Sequence, residues 1–410
     1  MRTVAEHQAL ILAQVAPLPP VTMPLVTAAG LVAAGPLTSR VDLPGFDNSA
    51  MDGYAVRAAD VRGASPGRPT HLRVVGHCAA GDSAVGMAVG EGEAIRIMTG
   101  APMPAGADTV VKVELTDGGD TVVAIVDEVP IDTSIRRRGE DLRRGGAVLA
   151  AGQVLTPRRL ALLAAAGHGQ VSAHPRPRVA VVSTGAELVA PGDPLADGQI
   201  YDSNSTLLAT LVEASGGRTA YRGSIGDDPA TVRDLLDRLA GEADLVVTSG
   251  GVSMGVHDVV KDVLRDSGSV EFVQVAMQPG KPQGFGRLGS AGVPFFGLPG
   301  NPVSAAVSFE MFVRPAIRRM LALDPAPARV RVTIEAGMRS PAGKLQIARA
   351  VLSRDGDRLR AHPVSGQGSH FVADLADATA YLLVPAEVTA LSPGDEVEAI
   401  VLDPPEGGSR

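Results

Sequence analysis

The sequence predicts a multidomain protein of the α/β plus β class. A doubly wound α/β domain lies in the centre, a small β domain is inserted in an N-terminal helical region, and a C-terminal β-barrel-like domain follows. Three observations support this. The 410 residues suffice for about two to four domains. Strand-like and helix-like segments alternate between residues 176 and 323. Short β-rich runs separated by Gly, Pro and Asp turns flank that segment.

Composition indicates a globular protein and excludes several function classes. Apolar residues make up 45% of the chain and charged residues 20%, as in ordinary soluble domains. A net charge of −8 disfavours wholesale binding to nucleic acid or to an anionic membrane. Aromatic residues are only 3% of the chain, which argues against stacking of single-stranded nucleic acid. The single cysteine, Cys78, excludes an intrachain disulfide.

The N-terminal residues favour an amphipathic helix over a signal peptide. The stretch "MRTVAEHQALILAQ" is interrupted by Glu6, His7 and Gln14, so it lacks an apolar core with a cleavage site. No run of about 18 apolar residues that could span a membrane occurs elsewhere. We therefore expect a cytoplasmic protein with no membrane contact.

The elements define four predicted domains. A helix over 5–15 ends at a proline cluster, and a second helix, "TPRRLALLAAAG", starts with Pro157 in its first turn. The predicted boundaries are 1–40 with 145–175 for an N-terminal helical linker domain, 41–144 for the inserted β domain, 176–323 for the α/β domain and 328–405 for the C-terminal β domain.

Within the α/β domain, five strands and four helices are expected. The predicted strands are "RVAVVST", "AYRGSI", "DLVVTSGG", "VEFVQVAMQ" and "PFFGLPG", and the helices are "SNSTLLATLVEASGG", "DPATVRDLLDRLA", "HDVVKDVLRDSG" and "PVSAAVSFEMFVRPAIRRML". This alternation predicts a parallel sheet with helices on both faces.

Every predicted strand ends in a polar or Gly-rich loop. In open α/β sheets, ligands bind at the carboxyl ends of the strands, where main-chain N–H groups can hold a phosphate. We therefore expect an anion or nucleotide site there. The loops supply Ser183, Thr184, Gly185, Glu187, Asp202, Asn204, Asp227, Asp228, Ser249, Gly250, Gly251, Ser253, Asp258, Lys281, Pro299, Asn301 and Pro302.

Each residue also has a structural interpretation. Ser203, Asn204 and Asn301 could be helix caps, and Asp227 with Asp228 suits a capping turn before Pro229. Asp258 suits a cap or a Mg²⁺ ligand equally well. Lys281, between two prolines in "QPGKP", could be a solvated turn residue. The grouping of these loops at one edge favours the binding site.

Familiar catalytic motifs are absent. The chain has no P-loop and no GxGxxG between strand and helix, so ATPase and Rossmann interpretations lack support. It has no HExxH and no GxSxG. Outside the α/β segment, "RRRGED" (136–141) suits either a solvated surface run or a loop that grips an oxyanion.

Several stretches together carry a resemblance to a known family. The sequences "PGFDNSAMDGYAV", "IRIMTGAPMP", "IRRRGEDL", "VVSTGAEL", "SGGVSMGVHD", "PGKP" and "GLPGNPVS" occur in the order seen in molybdopterin molybdenumtransferases. This MoeA family includes the E domain of gephyrin. The similarity extends over essentially the whole chain. It implies a central molybdopterin-binding (MogA-like) domain within four-domain subunits of a homodimer.

The resemblance also implies an activity. The family inserts molybdate into adenylylated molybdopterin with Mg²⁺, releases AMP and yields molybdenum cofactor. It implies transient contact with a molybdopterin adenylyltransferase and with apo-molybdoenzymes. A paralogue that handles another oxyanion such as tungstate, or a non-enzymatic scaffold of the gephyrin type, is the alternative.

The resemblance assigns roles to individual residues. It implies that Glu187, Asp227 and Asp258 are acidic residues of the active site, and that Asp258 and Asp227 lie near Mg²⁺. Molybdate is met by Lys281, Arg349 and Ser369. The residues implied to face the active site of the partner subunit are Asp52, Thr99, Arg136, Arg137, Arg138 and Asp141.

One residue departs from the family pattern. Many members carry lysine where this chain has Gln278, so that "KPGKP" becomes "QPGKP". The loss of one of two cations weakens the expected attraction for molybdate.

Overall fold

The computed structural model describes residues 1–252, 258–265, 268–364 and 367–403. It contains two compact units. The large unit comprises Met1–Val21 with His174–Arg410, and the small unit comprises Thr22–Ala173. No described helix combines the length and apolarity needed to cross a membrane.

The small unit contains a five-stranded sheet with apolar side chains on both faces. Its strands, in spatial order, are Thr109–Lys112, Gly53–Val56, Glu93–Ile97, Thr70–Cys78 and Val122–Ile125. Side chains alternate along a strand, so Tyr54 packs with Leu72 and Val111 on one face while Ala55 packs with Ile95 on the other. Burial of both faces explains why Gly53–Val56 is buried throughout, whereas Thr70–Cys78 alternates between buried and exposed residues.

Shorter elements complete the small unit. The helix Pro157–Ala165 begins at Thr156, whose hydroxyl accepts from the backbone N–H of Arg159. The short strands are Val21–Pro24, Gln170–His174 and Val32–Ala33 in one sheet, Leu37–Thr38 with Ala147–Leu149, and Asn48–Ser49 with Ile135–Arg136. Single helical turns occur at Leu25–Ala28, Ala58–Val61 and Val113–Leu115. The domain boundaries given above stay a prediction.

The large unit contains a six-stranded mixed sheet. Its strands, in spatial order, are Arg218–Ile225, Arg178–Thr184, Leu245–Ser249, Val293–Leu298, Pro282–Leu288 and Val270–Gln274. The first four are parallel, whereas Pro282–Leu288 is antiparallel to both of its neighbours. The associated helices are Ser203–Ala214, Pro229–Glu242, Val259–Arg265 and Pro302–Ser308. The predicted α/β class is confirmed.

The expectation of an all-parallel sheet is wrong at one edge. The residues "PQGFGRL", which resemble a Gly-rich turn, form the antiparallel strand Pro282–Leu288. Glycine is needed there because a Cβ at Gly286 would overlap the carbonyl oxygen of Ser269, and one at Gly284 would lie 2.9 Å from the ring of Phe272. Close backbone approach, rather than a turn, accounts for these glycines.

The predicted single strand "VEFVQVAMQ" is two strands. Val270–Gln274 belongs to the mixed sheet, whereas Met277–Gln278 pairs in parallel with the start of Leu345–Asp355. The chain therefore leaves the sheet just before the QPGKP loop, and residues 275–281 connect the sheet to a second β structure.

That second β structure is a closed five-stranded barrel, as predicted. In order around the barrel, its strands are Leu345–Asp355, Arg358–Pro363, Arg329–Ile334, Glu396–Val401 and Ala380–Val384, and the last pairs back with the first. Small and branched side chains such as Ala348, Ala399 and Val332 fill the interior. Closure leaves no unpaired edge strand.

Two further helical segments complete the large unit, one near the start of the chain and one after the strand Val293–Leu298. Val4–Gln14 begins at a capping box of Thr3 and Glu6, and His7 on this helix packs edge-on against Phe312, with ring centroids 4.8 Å apart. The predicted long final helix consists of Pro302–Ser308, a π-helical turn Phe309–Val313 and Arg314–Met320. The remaining elements are Leu188–Val189 with Ile200–Tyr201, Met338–Arg339 with Ala390–Leu391, and Val372–Ala376.

Candidate active site

A cavity of about 800 Å³ lies at the carboxyl edge of the sheet in the large unit. Its volume is in the range of small-molecule binding sites. The predicted site residues that line it are Ser183, Thr184, Gly185, Glu187, Asp202, Asn204, Asp227, Ser249, Gly250, Gly251, Asp258, Pro299, Asn301 and Pro302. The structure therefore brings together loops from four strand ends. Ser253 lies outside the described residues.

Asp202 fixes the start of a helix at the cavity. Its Oδ1 accepts from the hydroxyl of Ser183 at 2.7 Å and from the backbone N–H of Ser205 at 2.9 Å. Asp202 is therefore the cap of the helix Ser203–Ala214. The hydrogen bond to Ser183 also connects this helix to the neighbouring strand.

Asn204, which could have been that cap, connects two other loops instead. Its Nδ2 donates to Ser249 Oγ at 2.9 Å and to the carbonyl of Gly300 at 2.6 Å. Ser249 Oγ in turn donates to the carbonyl of Pro299 at 3.1 Å. Asn204 Oδ1 is buried and has no hydrogen-bond partner among the described residues. One buried acceptor at the cavity thus remains available to a ligand.

The loop after Ser249 passes very close to Thr184. Gly250 has φ +94°, and a Cβ there would lie 2.6 Å from the carbonyl oxygen of Thr184. Gly251 has φ +68°, and its Cβ would lie 2.8 Å from Val260 Cγ2. Side chains cannot be accommodated at either position, which leaves the backbone exposed to the cavity.

The cavity is strongly acidic. Its lining includes Glu187, Asp202, Asp227 and Asp258, and among the described lining residues there is no Lys or Arg. Glu187 and Asp227 are exposed, while Asp258 is 8% exposed and its Oδ2 has no partner in the described part of the chain. A buried carboxylate oxygen without a donor is costly unless a cation or a ligand binds it.

The two adjacent aspartates have different roles. Asp228 caps the helix Pro229–Glu242, because its Oδ2 accepts from the backbone N–H and the hydroxyl of Thr231. The hydrogen bond from the Thr231 hydroxyl, followed by the one from its backbone N–H, holds the pKa of Asp228 below its usual value. Asp227 lines the cavity and accepts from the backbone N–H of Ala186 at 3.2 Å.

Lys281 is exposed on the loop between the sheet and the barrel. The next residue, Pro282, lines the cavity. Gln278, on the same loop, accepts a hydrogen bond from the ammonium group of Lys344, with Nζ 3.4 Å from Oε1. The structure thus places Lys344, directly before the first barrel strand, beside Gln278.

Ser369 and Arg349, the other two residues assigned to molybdate by resemblance, do not line the cavity and lie on its barrel side. Asn301 Nδ2 donates to Ser369 Oγ at 3.0 Å, and the backbone N–H of Val303 donates to the carbonyl of Ser369 at 3.1 Å. Arg349 is 1% exposed, and its guanidinium donates to the carbonyls of Gly368 and Phe371. These described bonds hold the segment that carries Ser369.

The sequence did not identify some residues that line the cavity. They are Leu188, Ile200, Tyr201, Ser203, Val252, Pro282, Gly300, Ser304, His370 and Val372. One of these residues, His370, is titratable and follows directly after Ser369 in the sequence. Its position in "GQGSH" next to Ser369 was the available signal, but only the packing of the barrel against the helix Pro302–Ser308 brings it to the cavity.

The remaining predicted site residues lie in the small unit. Asp52 Oδ1 accepts from the backbone N–H of Thr99 at 2.7 Å and from its hydroxyl at 2.8 Å. The backbone bond, followed by the hydroxyl bond, holds the pKa of Asp52 below its usual range. Asp52 is therefore a charged, fixed and exposed carboxylate at neutral pH.

The "RRRGED" loop is a structured, exposed turn. Arg137 forms ion pairs with Asp47 and Asp132, and Arg138 forms one with Asp42. Arg136, exposed in a short strand, forms no ion pair within the described residues, and Asp141 is exposed. Two of the three arginines are thus neutralised by nearby acids, which favours a loop of defined shape over a solvated run.

The fold and the site define an α/β protein with an acidic, Gly-lined cavity at the carboxyl edge of its sheet, in a chain that also contains a β-barrel and a separate β-rich unit. Three family profiles cover the chain: the MoeA N-terminal region (domain I and II) at residues 2–167, a probable molybdopterin binding domain at 180–319, and the MoeA C-terminal region (domain IV) at 331–402. The chain belongs to the MoeA family.

Relatives match over nearly the full length. A Mycobacterium tuberculosis protein named molybdopterin molybdenumtransferase 2 is 44% identical over 405 residues, covering 97% of this chain and 99% of that protein. A Haemophilus influenzae molybdopterin molybdenumtransferase is 36% identical and covers 91% of each chain. The crystal structure of a molybdopterin biosynthesis MoeA protein from Pyrococcus horikosii has a TM-score of 0.81 and 31% identity, covering 98% of this chain and 99% of that one.

Proposed function

We propose that this protein is a molybdopterin molybdenumtransferase, a transferase of molybdenum cofactor biosynthesis that inserts molybdate into adenylylated molybdopterin and releases AMP. The observation that carries the proposal is the acidic, Gly-lined cavity at the carboxyl edge of the sheet in a chain of this family. The cavity volume suits a nucleotide-sized ligand.

The loops after the strands would bind the phosphates and the pterin. Gly250 and Gly251 keep side chains away from this part of the cavity, and the N–H of Gly250 donates to the carbonyl of Leu298, which fixes the loop. Ser183, Thr184, Gly185, Asn204 and Ser249 supply short polar side chains around them. Because Asp202 and Asn204 fix these loops by hydrogen bonds, little ordering would remain to be done on binding.

Mg²⁺ fits the carboxylates of the cavity. A polyanionic substrate would be repelled by four carboxylates with no Lys or Arg in the described lining, unless a divalent cation bridged the two. Asp258, with its buried unpartnered oxygen, and Asp227 would hold the ion, since Mg²⁺ is usually bound by one or two carboxylates and substrate phosphates. When bound, the ion would neutralise phosphate charge and polarise the phosphoanhydride.

This chain's residues would act chiefly by positioning. Glu187 and Asp227 at the mouth of the cavity would orient the adenylylated substrate through the bound cation and water. No protein nucleophile is required, because the dithiolene sulfurs that receive the metal belong to the pterin. The single cysteine, Cys78, is buried in the small unit, which is consistent with sulfur ligands that come from the pterin and not from the protein.

Molybdate would be bound where the sheet meets the barrel. Lys281 supplies an exposed ammonium group and Ser369 a hydroxyl held by Asn301. Arg349 is the third residue assigned to molybdate by resemblance. Its described hydrogen bonds to the carbonyls of Gly368 and Phe371 support a positioning role, in which it holds Ser369 in place.

A cytoplasmic homodimer would complete the site. In this arrangement Asp52, Thr99 and the loop with Arg136, Arg137, Arg138 and Asp141 from one subunit would serve the cavity of the other. The fixed carboxylate of Asp52 and the rigid shape of the arginine loop suit a surface that must fit a partner. Transient partners would be the adenylyltransferase that supplies the substrate and the apo-molybdoenzymes that accept the product.

The deciding experiment combines the purified protein with adenylylated molybdopterin, Mg²⁺ and molybdate. We expect AMP release that requires all three, and transfer of the product to an apo-molybdoenzyme. Tungstate in place of molybdate tests the choice of oxyanion. Absence of AMP release under every condition, with a folded protein, would instead favour a scaffold of the gephyrin type.

A further inference from the structure

Lysine is a rare residue in this chain. Of its 37 lysines and arginines only four are lysines, namely Lys112, Lys261, Lys281 and Lys344. Two of these four, Lys281 and Lys344, lie on segments next to the short strand Met277–Gln278, which pairs with the first strand of the barrel. A compact, strongly hydrated ammonium is a different anion ligand from the planar guanidinium used elsewhere in the chain.

Backbone pairing fixes Lys344 beside the segment that precedes Lys281. Met277–Gln278 pairs in parallel with the first residues of the barrel strand, with Gln278 opposite Gln346. The backbone N–H of Leu345 donates to the carbonyl of Ala276 at 2.9 Å. Lys344, directly before that strand, is therefore fixed beside the loop that ends in Lys281.

Gln278 directs the side chain of Lys344 toward the loop. Lys344 is half-buried, and its Nζ is 3.4 Å from Gln278 Oε1. An amide oxygen accepts from an ammonium group without cancelling its charge, whereas a carboxylate at 278 would neutralise it. The positive charge of Lys344 thus remains available to an anion.

Neither lysine is neutralised by a carboxylate in the described part of the chain. The ion pairs there are formed by arginines and one histidine, and Lys281 and Lys344 take part in none of them. Two uncompensated ammonium groups at one junction favour a doubly charged anion.

We propose that Lys344 is a second cationic residue of the oxyanion site, held in place by Gln278, and that Lys281 and Lys344 together bind the tetrahedral dianion. The inference rests on the proposed function. The QPGKP loop itself contains one cation, Lys281, and Lys344 would supply the second from the start of the barrel. Gln278 is then a positioning residue that moves the second cation from the loop to the barrel.

The test measures binding of molybdate, and separately of tungstate and sulfate, to the full chain by equilibrium dialysis. For Lys344→Ala we expect about a tenfold higher Kd for molybdate, a change equivalent to the loss of one favourable charge contact. Arg354→Ala, which removes an exposed cation from the far end of the same barrel strand, is the matched control and should leave Kd unchanged. Thermal unfolding verifies that each variant is folded.

A double variant makes the test specific. Gln278→Lys in the Lys344→Ala background places a cation back on the loop and should return the Kd to within about threefold of the parent value. A Kd for Lys344→Ala equal to that of the parent would overturn the proposal. So would an equal loss in Arg354→Ala, which would indicate a general effect of net charge.

The AMP-release assay separates this proposal from the proposed function. If the parent releases AMP while Lys344→Ala has an unchanged molybdate requirement, the role of Lys344 is refuted and the activity stands. If no AMP is released but the Kd values change as expected, the oxyanion site stands without the activity. Equal weakening of molybdate, tungstate and sulfate would support a charge-based site, and weakening of sulfate alone would contradict it.

Discussion

Asp227 and Asp228 are consecutive residues whose carboxylates have separate functions. Asp228 accepts from Thr231 and caps the helix Pro229–Glu242, whereas Asp227 lines the cavity and accepts from the backbone of Ala186. The sequence left a capping turn or a binding site open for the pair, and the resemblance implied Asp227 near Mg²⁺. The structure assigns the cap to one of them, which leaves the other available for a ligand.

Substitutions at these two positions should therefore have opposite effects. Asp228→Ala removes a helix cap and should lower the free energy of unfolding by about 1 kcal/mol while the AMP-release rate is retained. Asp227→Asn should leave stability within about 0.5 kcal/mol and raise the Mg²⁺ concentration needed for AMP release. Urea titrations and Mg²⁺-dependent kinetics measure the two quantities. Equal loss of activity in both variants would contradict the division.

Substitution of Asp258 should stabilise the folded protein and at the same time weaken its binding of Mg²⁺. The Oδ2 of Asp258 is buried without a partner among the described residues, so Asp258→Asn removes a buried charge that none of them compensates and should raise the free energy of unfolding by about 1 kcal/mol in the absence of Mg²⁺. The same change should weaken Mg²⁺ binding measured by calorimetry in the presence of a nucleotide. A destabilised variant with normal Mg²⁺ binding would indicate a purely structural role.

Gly250→Ala should damage the loop that borders the cavity. A Cβ at φ +94° and 2.6 Å from the carbonyl oxygen of Thr184 requires the loop to move, at a cost of about 2 kcal/mol or more. We expect a lower melting temperature and weaker binding of adenylylated molybdopterin. Gly226→Ala is the matched control, because a Cβ at Gly226 meets no atom within 4 Å.

His7 should make the large unit less stable in acid. Burial, with a smaller contribution from Arg2, lowers the pKa of His7 to about 4, below its usual value of 6.5. As the pH falls through that interval the unfolded chain binds a proton that the folded chain does not. Stability is therefore present above about pH 6.5 and lost toward pH 4, by up to about 3 kcal/mol.

The measurement compares denaturant unfolding at pH 7 and pH 4.5. His7→Phe keeps an aromatic ring against Phe312 without a titratable group, so its loss of stability between the two pH values should be smaller than that of the parent. His77→Gln, at an exposed position, should behave like the parent. An identical pH dependence in His7→Phe and the parent would refute the assignment.

The sequence by itself determined the α/β class and most of the cavity. Polar and Gly-rich residues directly after strands such as Arg178–Thr184 and Leu245–Ser249 must share an edge, because parallel strands present their carboxyl ends on the same side. That rule needs only local patterns, so residues from Ser183 to Pro302 could be grouped without coordinates. The repeated short β segments near the C-terminus predicted a second small β domain.

Only the tertiary structure decided which of several equivalent polar residues does what. Asp202 rather than Asn204 caps its helix, Pro282–Leu288 is an antiparallel strand rather than a turn, and His370 reaches the cavity from the barrel. The partner of Gln278 is Lys344, 66 residues away. Such choices depend on side-chain distances between segments distant in sequence. A local pattern contains no information about those distances, because packing sets them only once the sheet and the barrel have formed.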